Sequence, residues 1–247
     1  MVRITDHETR RNDILAAAVD TYIKTRVPVS SEGLSQFFGY SSATIRNVLA
    51  ELEEMSLLTH PYTSAGRIPT DEGYRYYIER LMSPSQLQDE EKGLIEEEYQ
   101  GKKESGDLDE LFQLTSEILS DLSHSPGMVS FLEYENKLFF DGTSYILDEP
   151  EFRDIEKVKF LLKILEEKEK LIKLINQDLE GKIRVYIGKE MNYQEIDNCS
   201  LVVSAYNFKG RPWGRLAVLG PRRMKYSRVI PLVDYLSGVL SEILNQL

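Results

Sequence analysis

A single cysteine, Cys199, in 247 residues leaves no partner for an intrachain disulfide and fits a reducing compartment. No stretch approaches the eighteen or more apolar residues needed to cross a bilayer, and apolar runs such as Leu201-Val202-Val203 are strand-sized. The opening MVRITDHETRR lacks the apolar h-region of a secretory signal. The cytosol is the expected location, without membrane contact. Histidine is scarce as well: His7, His60 and His124 share no metal-ligand spacing with one another or with Cys199. No glycine-rich phosphate loop, G-x-S-x-G elbow or H-E-x-x-H occurs. Cys199, ahead of an apolar strand, reads as a small core residue rather than a nucleophile. Neither an enzyme, a metal nor a cofactor is expected.

Positive charge is also in deficit. The chain holds 30 Lys+Arg against 41 Asp+Glu, a net charge of −11. That argues against broad affinity for nucleic acid, whose usual source is phosphate neutralisation. The acidity is uneven: residues 1–80 hold nine basic and eleven acidic residues, and the remaining 21 and 30 follow them. A nucleic-acid face in the N-terminal segment must rest on a few well-placed groups, and non-specific binding is expected to be weak. Apolar residues at 41% and charged residues at 29% are ordinary for a globular chain, and the length admits one large domain or two small ones. No internal repeat or long low-complexity run is visible.

What is present is a sequence of punctuated helices. Ile14, Leu15, Ala18, Val19, Tyr22 and Ile23 form one face of a helix over 9–26, broken at Pro28. Ser30 or Ser31 caps a short helix with Leu34, Phe37 and Phe38, which Gly39 is expected to end as a left-handed C-cap. Ser41 or Ser42 caps a third helix to about Met55, with Ile45, Val48, Leu49 and Leu52 as its buried stripe. Leu57–His60 and Arg67–Pro69 read as paired strands around a turn-rich tip. Thr70 caps a further helix through Tyr74, Tyr77, Ile78 and Leu81. Three helices followed by a two-stranded wing predict a winged helix-turn-helix over 1–82.

Residues 83–126 are acidic with two amphipathic helical stretches and predict a connector or dimer-forming segment, with disorder over 86–106 as the alternative. This segment is also the candidate soft element through which heating would act. From Gly127 short strands appear at 128–132, 137–140, 183–187, 201–206 and 215–219, with helices over 151–179 and 225–246. That order predicts an α+β arrangement on an antiparallel sheet over 127–247.

If the apolar stripe of the third helix faces the core, Ala43, Arg46, Asn47 and Ala50 lie opposite, with Ser41, Ser42 and Thr44 at its start. Arg46 suits a bidentate contact to guanine and Asn47 one to adenine, while Ala43 and the Thr44 methyl suit thymine methyls. The free N–H groups at the helix start suit a phosphate. In the wing, Tyr62, Thr63, Ser64 and Arg67 fit backbone contacts, with Arg67 a candidate for the minor groove. The alternative for each is an ordinary solvated surface. Tyr74, Tyr76 and Tyr77 read as packing rather than a stacking platform.

Ser41–Asn47 with Ala50–Glu53, followed by Thr63–Asp71 (TSAGRIPTD) and Gly73–Tyr77 (GYRYY), closely resembles the HrcA family of bacterial heat-inducible transcription repressors. Gly142-Thr143-Ser144, Pro150-Glu151-Phe152, Gly210-Arg211-Pro212, Gly214, Gly220-Pro221, Arg223-Met224, Tyr226 and the terminal helix from Arg228 to Tyr235 are similar to that family's GAF-like domain. Family members usually carry a long segment before the GTS motif, including an inserted dimerising domain; here 128–136 runs straight into 137–144. The resemblance therefore implies a short member with a truncated GAF-like domain. It implies repression of chaperone operons by a homodimer on an inverted-repeat CIRCE operator, release on heat shock, and upkeep by the GroE chaperonin. Without the insert, the connector helices or the residual GAF-like domain are expected to pair the protomers. The alternative is a regulator that senses a small ligand through that domain.

Overall fold

Helix α1 (Val2–Thr25) starts the chain and buries Ile14, Leu15, Ala18, Val19 and Ile23, the stripe read from their spacing. The computed structural model describes residues 2–62, 65–103, 106–132, 137–149, 159, 163, 167–177 and 183–247. These form two compact units, Met1–Ser83 and Pro84–Leu247.

In the first unit, α2 (Ser31–Ser35) begins where the Ser30 hydroxyl accepts the Gly33 N–H at 3.0 Å. It ends earlier than expected, and Gly39 is not its cap. Gln36 stays right-handed and the Phe37 N–H turns back onto the Leu34 carbonyl, so the last turn closes without a left-handed residue. Phe37 is consequently exposed rather than buried. Helix α3 (Ser42–Glu54) is capped by Ser41, whose hydroxyl accepts the Thr44 N–H, and buries Ile45, Val48, Leu49 and Leu52. Strands β1 (Leu58–Thr59) and β2 (Ile68–Pro69) are only two residues each, and a bridge between Val29 and Arg67 lengthens the ribbon. Helix α4 (Asp71–Tyr76) is capped by Thr70, which also donates to the Ser56 carbonyl at 2.6 Å, and runs into one π turn, Tyr77–Leu81. The tyrosines pack and tether: Tyr76 donates to Asn12 and Tyr77 to Asp20, both on α1. Burial and the Asp20 carboxylate push the Tyr77 phenol up, so it remains a donor.

The second unit is a five-stranded antiparallel sheet in the order β4-β3-β7-β6-β5. Its strands are β3 (Gly127–Phe131), β4 (Leu138–Asp141), β5 (Ile183–Ile187), β6 (Cys199–Phe208) and β7 (Arg211–Pro221). Lys209 and Gly210, both at positive φ, turn β6 into β7, as the twist of a tight hairpin demands. Helices α5 (Asp89–Lys103) and α6 (Leu108–Ser123) precede the sheet, α7 (Lys168–Asn176) lies between β4 and β5, and α8 (Tyr226–Leu244) closes the unit. One face of the sheet packs Met128, Leu201, Val203, Ala217 and Leu219 against Leu171, Ile172, Leu174 and Ile175 of α7, with Cys199 in the same core. The other carries α6 and α8. Of the helix expected over 151–179, only α7 and isolated positions lie within the described residues.

The stretch expected as a connector is an inner layer of this unit. Leu111, Phe112, Leu114, Ile118 and Leu119 of α6 are buried, and Phe112 sits among Phe131, Phe139, Tyr206 and Trp213 at 5.6–6.1 Å between ring centres. Each fully buried side chain of this size contributes roughly 1.5–3 kcal/mol, so α6 belongs to the core instead of standing open for a partner. Helix α5 is ordered helix, not disorder, and docks Ile95 and Tyr99, whose hydroxyl donates to Thr115 at 2.8 Å.

Arg228 on α8 donates to Glu91 on α5 at 2.7 Å, and the Gln88 N–H also reaches that carboxylate. Both hold its pKa below the ordinary value. A depressed carboxylate stabilises the fold at neutral pH and loses that contribution as pH falls from the ordinary carboxylate range through the depressed value. Glu91→Gln should thus cost at most about 1 kcal/mol at neutral pH, because the pair is partly exposed. It should also flatten the acid side of the unfolding profile, which urea melts at several pH values would check.

Candidate nucleic-acid interface

Helix α3 has two unlike sides. Its buried residues fix it in the first unit, while Ser41, Ala43, Arg46 and Asn47 are exposed and Ser42, Thr44 and Ala50 are half-buried. The serines and threonine have structural work at the helix start. Ser41 and Thr44 hydroxyls lie 2.9 Å apart, and the Ser42 hydroxyl meets that of Ser31 on α2 at 3.1 Å. Arg46 and Asn47 differ: neither has a hydrogen bond or ion pair among the described residues. On the exposed face from Ser41 to Ala50, the one charge is the Arg46 guanidinium.

The wing stands beside this face. Tyr62 at its tip is 65% exposed, and the Ala65 N–H closes the turn onto the Tyr62 carbonyl. Thr63 and Ser64 lie outside the described residues. Gly66 is required by close packing: a Cβ there would sit 2.6 Å from the Val29 carbonyl oxygen and 2.7 Å from that of Pro28. Arg67, in sequence a candidate for backbone contacts or the minor groove, is engaged within the unit. Its backbone pairs with Val29 in both directions, and its side chain, only 16% exposed, points to Glu53 on α3 at 3.3 Å.

Sequence reasoning missed the acidic side of α3. Glu53 also meets His60 at 3.3 Å, and Glu51 is held by Arg11 at 3.0 Å and His7 at 3.4 Å. Each of these glutamates is matched by an arginine from a neighbouring element and lies beside a histidine. The partners are up to 44 positions away in the chain, so local periodicity carries no trace of them. This matching explains how a segment with a net acidic count presents an uncompensated arginine to solvent.

Among the described residues of the second unit lies a candidate cavity, about 250 Å³ including its open mouth, lined by His124, Tyr145, Glu149 and Cys199 among others. It is smaller than a typical ligand site, and Glu149 is engaged by the buried Arg223. No helix among the described residues is long and apolar enough to cross a membrane.

A three-helix unit with a hairpin wing beside an exposed polar helix face defines a winged-helix DNA-binding protein. Residues 7–80 match the family described as winged helix-turn-helix transcription repressor, HrcA DNA-binding, and residues 77–230 match the HrcA protein C-terminal domain. The chain belongs to the HrcA family of heat-inducible transcription repressors, which are regulators and not enzymes. It is 31% identical to the heat-inducible transcription repressor HrcA of Desulforudis audaxviator, over 97% of this chain and 98% of that one. The corresponding protein of Pelotomaculum thermopropionicum is 30% identical over 97% of both. A crystal structure of a hypothetical protein superposes with a TM-score of 0.76 at 18% identity, covering 96% of this chain and 97% of that chain, and establishes the shared fold.

The alignment with the Desulforudis protein runs over 341 positions although this chain has 247 residues, so a long stretch of the relative has no counterpart here. In this chain β3 pairs directly with β4, the strand that follows it. This is a short member of the family.

Proposed function

We propose that the chain represses heat-shock (chaperone) operons by binding, as a homodimer, an inverted-repeat operator of the CIRCE type and releasing it on heat stress. The observation that carries this reading is the division of α3: four apolar residues lock it into the unit, while Ala43, Arg46 and Asn47 stand exposed beside the wing. With α3 in the major groove, Arg46 donates two hydrogen bonds to guanine, Asn47 pairs with adenine, and Ala43 with the Thr44 methyl meets thymine methyls. Ser41 and Ser42 at the helix start, with Tyr62, Thr63 and Ser64 of the wing, serve the phosphate backbone. An inverted repeat has two half-sites related by a dyad, and a two-fold protein reads both at once. The second unit is the part left to pair the protomers, since the relatives' additional stretch has no counterpart. In this reading the GroE chaperonin maintains the active repressor, and the protein works in the cytoplasm.

Fluorescence anisotropy with a labelled inverted-repeat duplex and a scrambled one, over a salt series, tests the proposal. A large preference for the operator with two protomers per duplex is expected, and the net charge of −11 predicts weak binding to the scrambled DNA. Equal, weak binding to both duplexes would overturn sequence-specific repression. Affinity that stays constant through the heat-shock range would overturn release by heat.

A further inference from the structure

We propose that Arg67 is a positioning residue: it seats the wing on α3 and neutralises Glu53 beside the DNA, rather than contacting phosphate or the minor groove itself. The inference rests on the DNA-binding reading above and deepens it.

Three observations lead there. First, β1 and β2 are two residues each, too short to fix the direction of a hairpin by their own pairing. Second, Arg67 is held at both ends. Its N–H and carbonyl bond to Val29 at 2.9 and 2.8 Å, and its guanidinium reaches Glu53 at 3.3 Å with 16% of the side chain exposed. Third, the same Glu53 oxygen lies 3.3 Å from His60 Nε2, while His60 Nδ1 lies 2.9 Å from the Ala65 carbonyl oxygen. The imidazole thus lies between α3 and the wing loop and links both to the end of β1 in one cluster. Glu53 is thus the point to which both sides of the wing are tied.

The electrostatics give the cluster its purpose. An unmatched carboxylate within a Debye length of the phosphates, about 8 Å at physiological salt, opposes binding. Glu53 is half-buried on the helix that enters the groove, so solvent screens it incompletely. Arg67 cancels it from the wing side, as Arg11 cancels Glu51 from the α1 side. If Arg67 acts through Glu53, losing both charges is milder than losing the arginine alone.

The test is a mutant cycle in the full chain: Arg67→Gln, Glu53→Gln, the double variant, and the charge-swapped Glu53→Arg with Arg67→Glu. Operator affinity is measured over a salt series, with a thermal melt of each variant. Arg67→Gln is expected to bind about tenfold or more weakly, a size consistent with an unpaired, part-buried charge. The double variant, isoelectric with the original, and the charge swap should recover most of the loss. The slope of log affinity against log salt should match the original in the double variant. A phosphate ligand predicts the opposite: equal loss in Arg67→Gln and the double variant, with the slope reduced by about 0.9 in both. That outcome, or full affinity in Arg67→Gln, would overturn the proposal. Should Arg67→Gln prove unfolded, the charge swap decides alone, since it retains the ion pair but places a carboxylate at 67. Absence of binding by the original chain would instead overturn the DNA reading, and this proposal with it.

Discussion

Replacing Gly73 by alanine is expected to disrupt the wing and abolish operator binding. A Cβ at this position would lie 2.0 Å from the Leu57 carbonyl oxygen, 3.0 Å from its carbon and 3.4 Å from its Cα, all backbone atoms. Nothing flexible can swing aside. The same carbonyl accepts the Thr70 N–H at 3.2 Å, and the Leu57 N–H is bonded to Leu52, so the segment is held from both directions. Relief requires α4 to move away from the end of α3, and the whole wing lies in the chain between those two contacts. Overpacking typically costs about 1–3 kcal/mol and more where backbone must shift; here the upper end is expected. Hydrogen exchange across α4 and the wing, with operator affinity measured in parallel, would check it. Gly93→Ala is the control: it sits inside α5 with nothing within 4 Å of a Cβ, and should stabilise by roughly 0.5–1 kcal/mol. Equal stability of both variants would contradict the packing argument.

The second large effect is expected at Arg46, and it should spare the fold. The side chain is exposed and makes no bond among the described residues, so Arg46→Ala leaves the core of Ile45, Val48, Leu49 and Leu52 untouched. Helix propensity slightly favours the alanine. If Arg46 reads a guanine, the loss is about 1–3 kcal/mol on the cognate operator and little on a duplex changed at that base pair. A melting temperature at or above the original with lost discrimination would place Arg46 at a base edge. An equal loss on every duplex, with a shallower salt dependence, would place it on the backbone instead. Asn47→Ala in the same assay should relax a different base pair.

Local rules were enough for much of the first unit. The stripe of α3, its serine cap, the turn chemistry before Arg67 and the Thr70 cap each depend on residues within four positions, and all were legible. The division of α3 into a buried and an exposed side follows from the same periodicity, which is why Arg46 and Asn47 could be singled out. The end of α2 was not legible, because Gly39 and the turn formed by Phe37 are alternative ways to stop a helix, and the sequence does not rank them. In the second unit the strand positions were readable from runs of apolar residues. The place of α6 was not: an amphipathic stripe states that a face will be covered, without stating by what. The sheet of its own chain covers it.

The sequence by itself determined most of the described helices and strands, which face of α3 turns outward, and through its motifs the family. Tertiary structure decided which partners the charged residues of that motif meet. Arg67 looks like a wing contact in sequence because it follows a turn-rich tip, yet Glu53, 14 positions earlier, draws it inward. Its contact with Glu53, like those of His60 with Glu53 and of His7 and Arg11 with Glu51, depends on distances set only when α1, α3 and the wing pack together. Coulomb interactions act through space between elements, whereas periodicity and capping act along the chain.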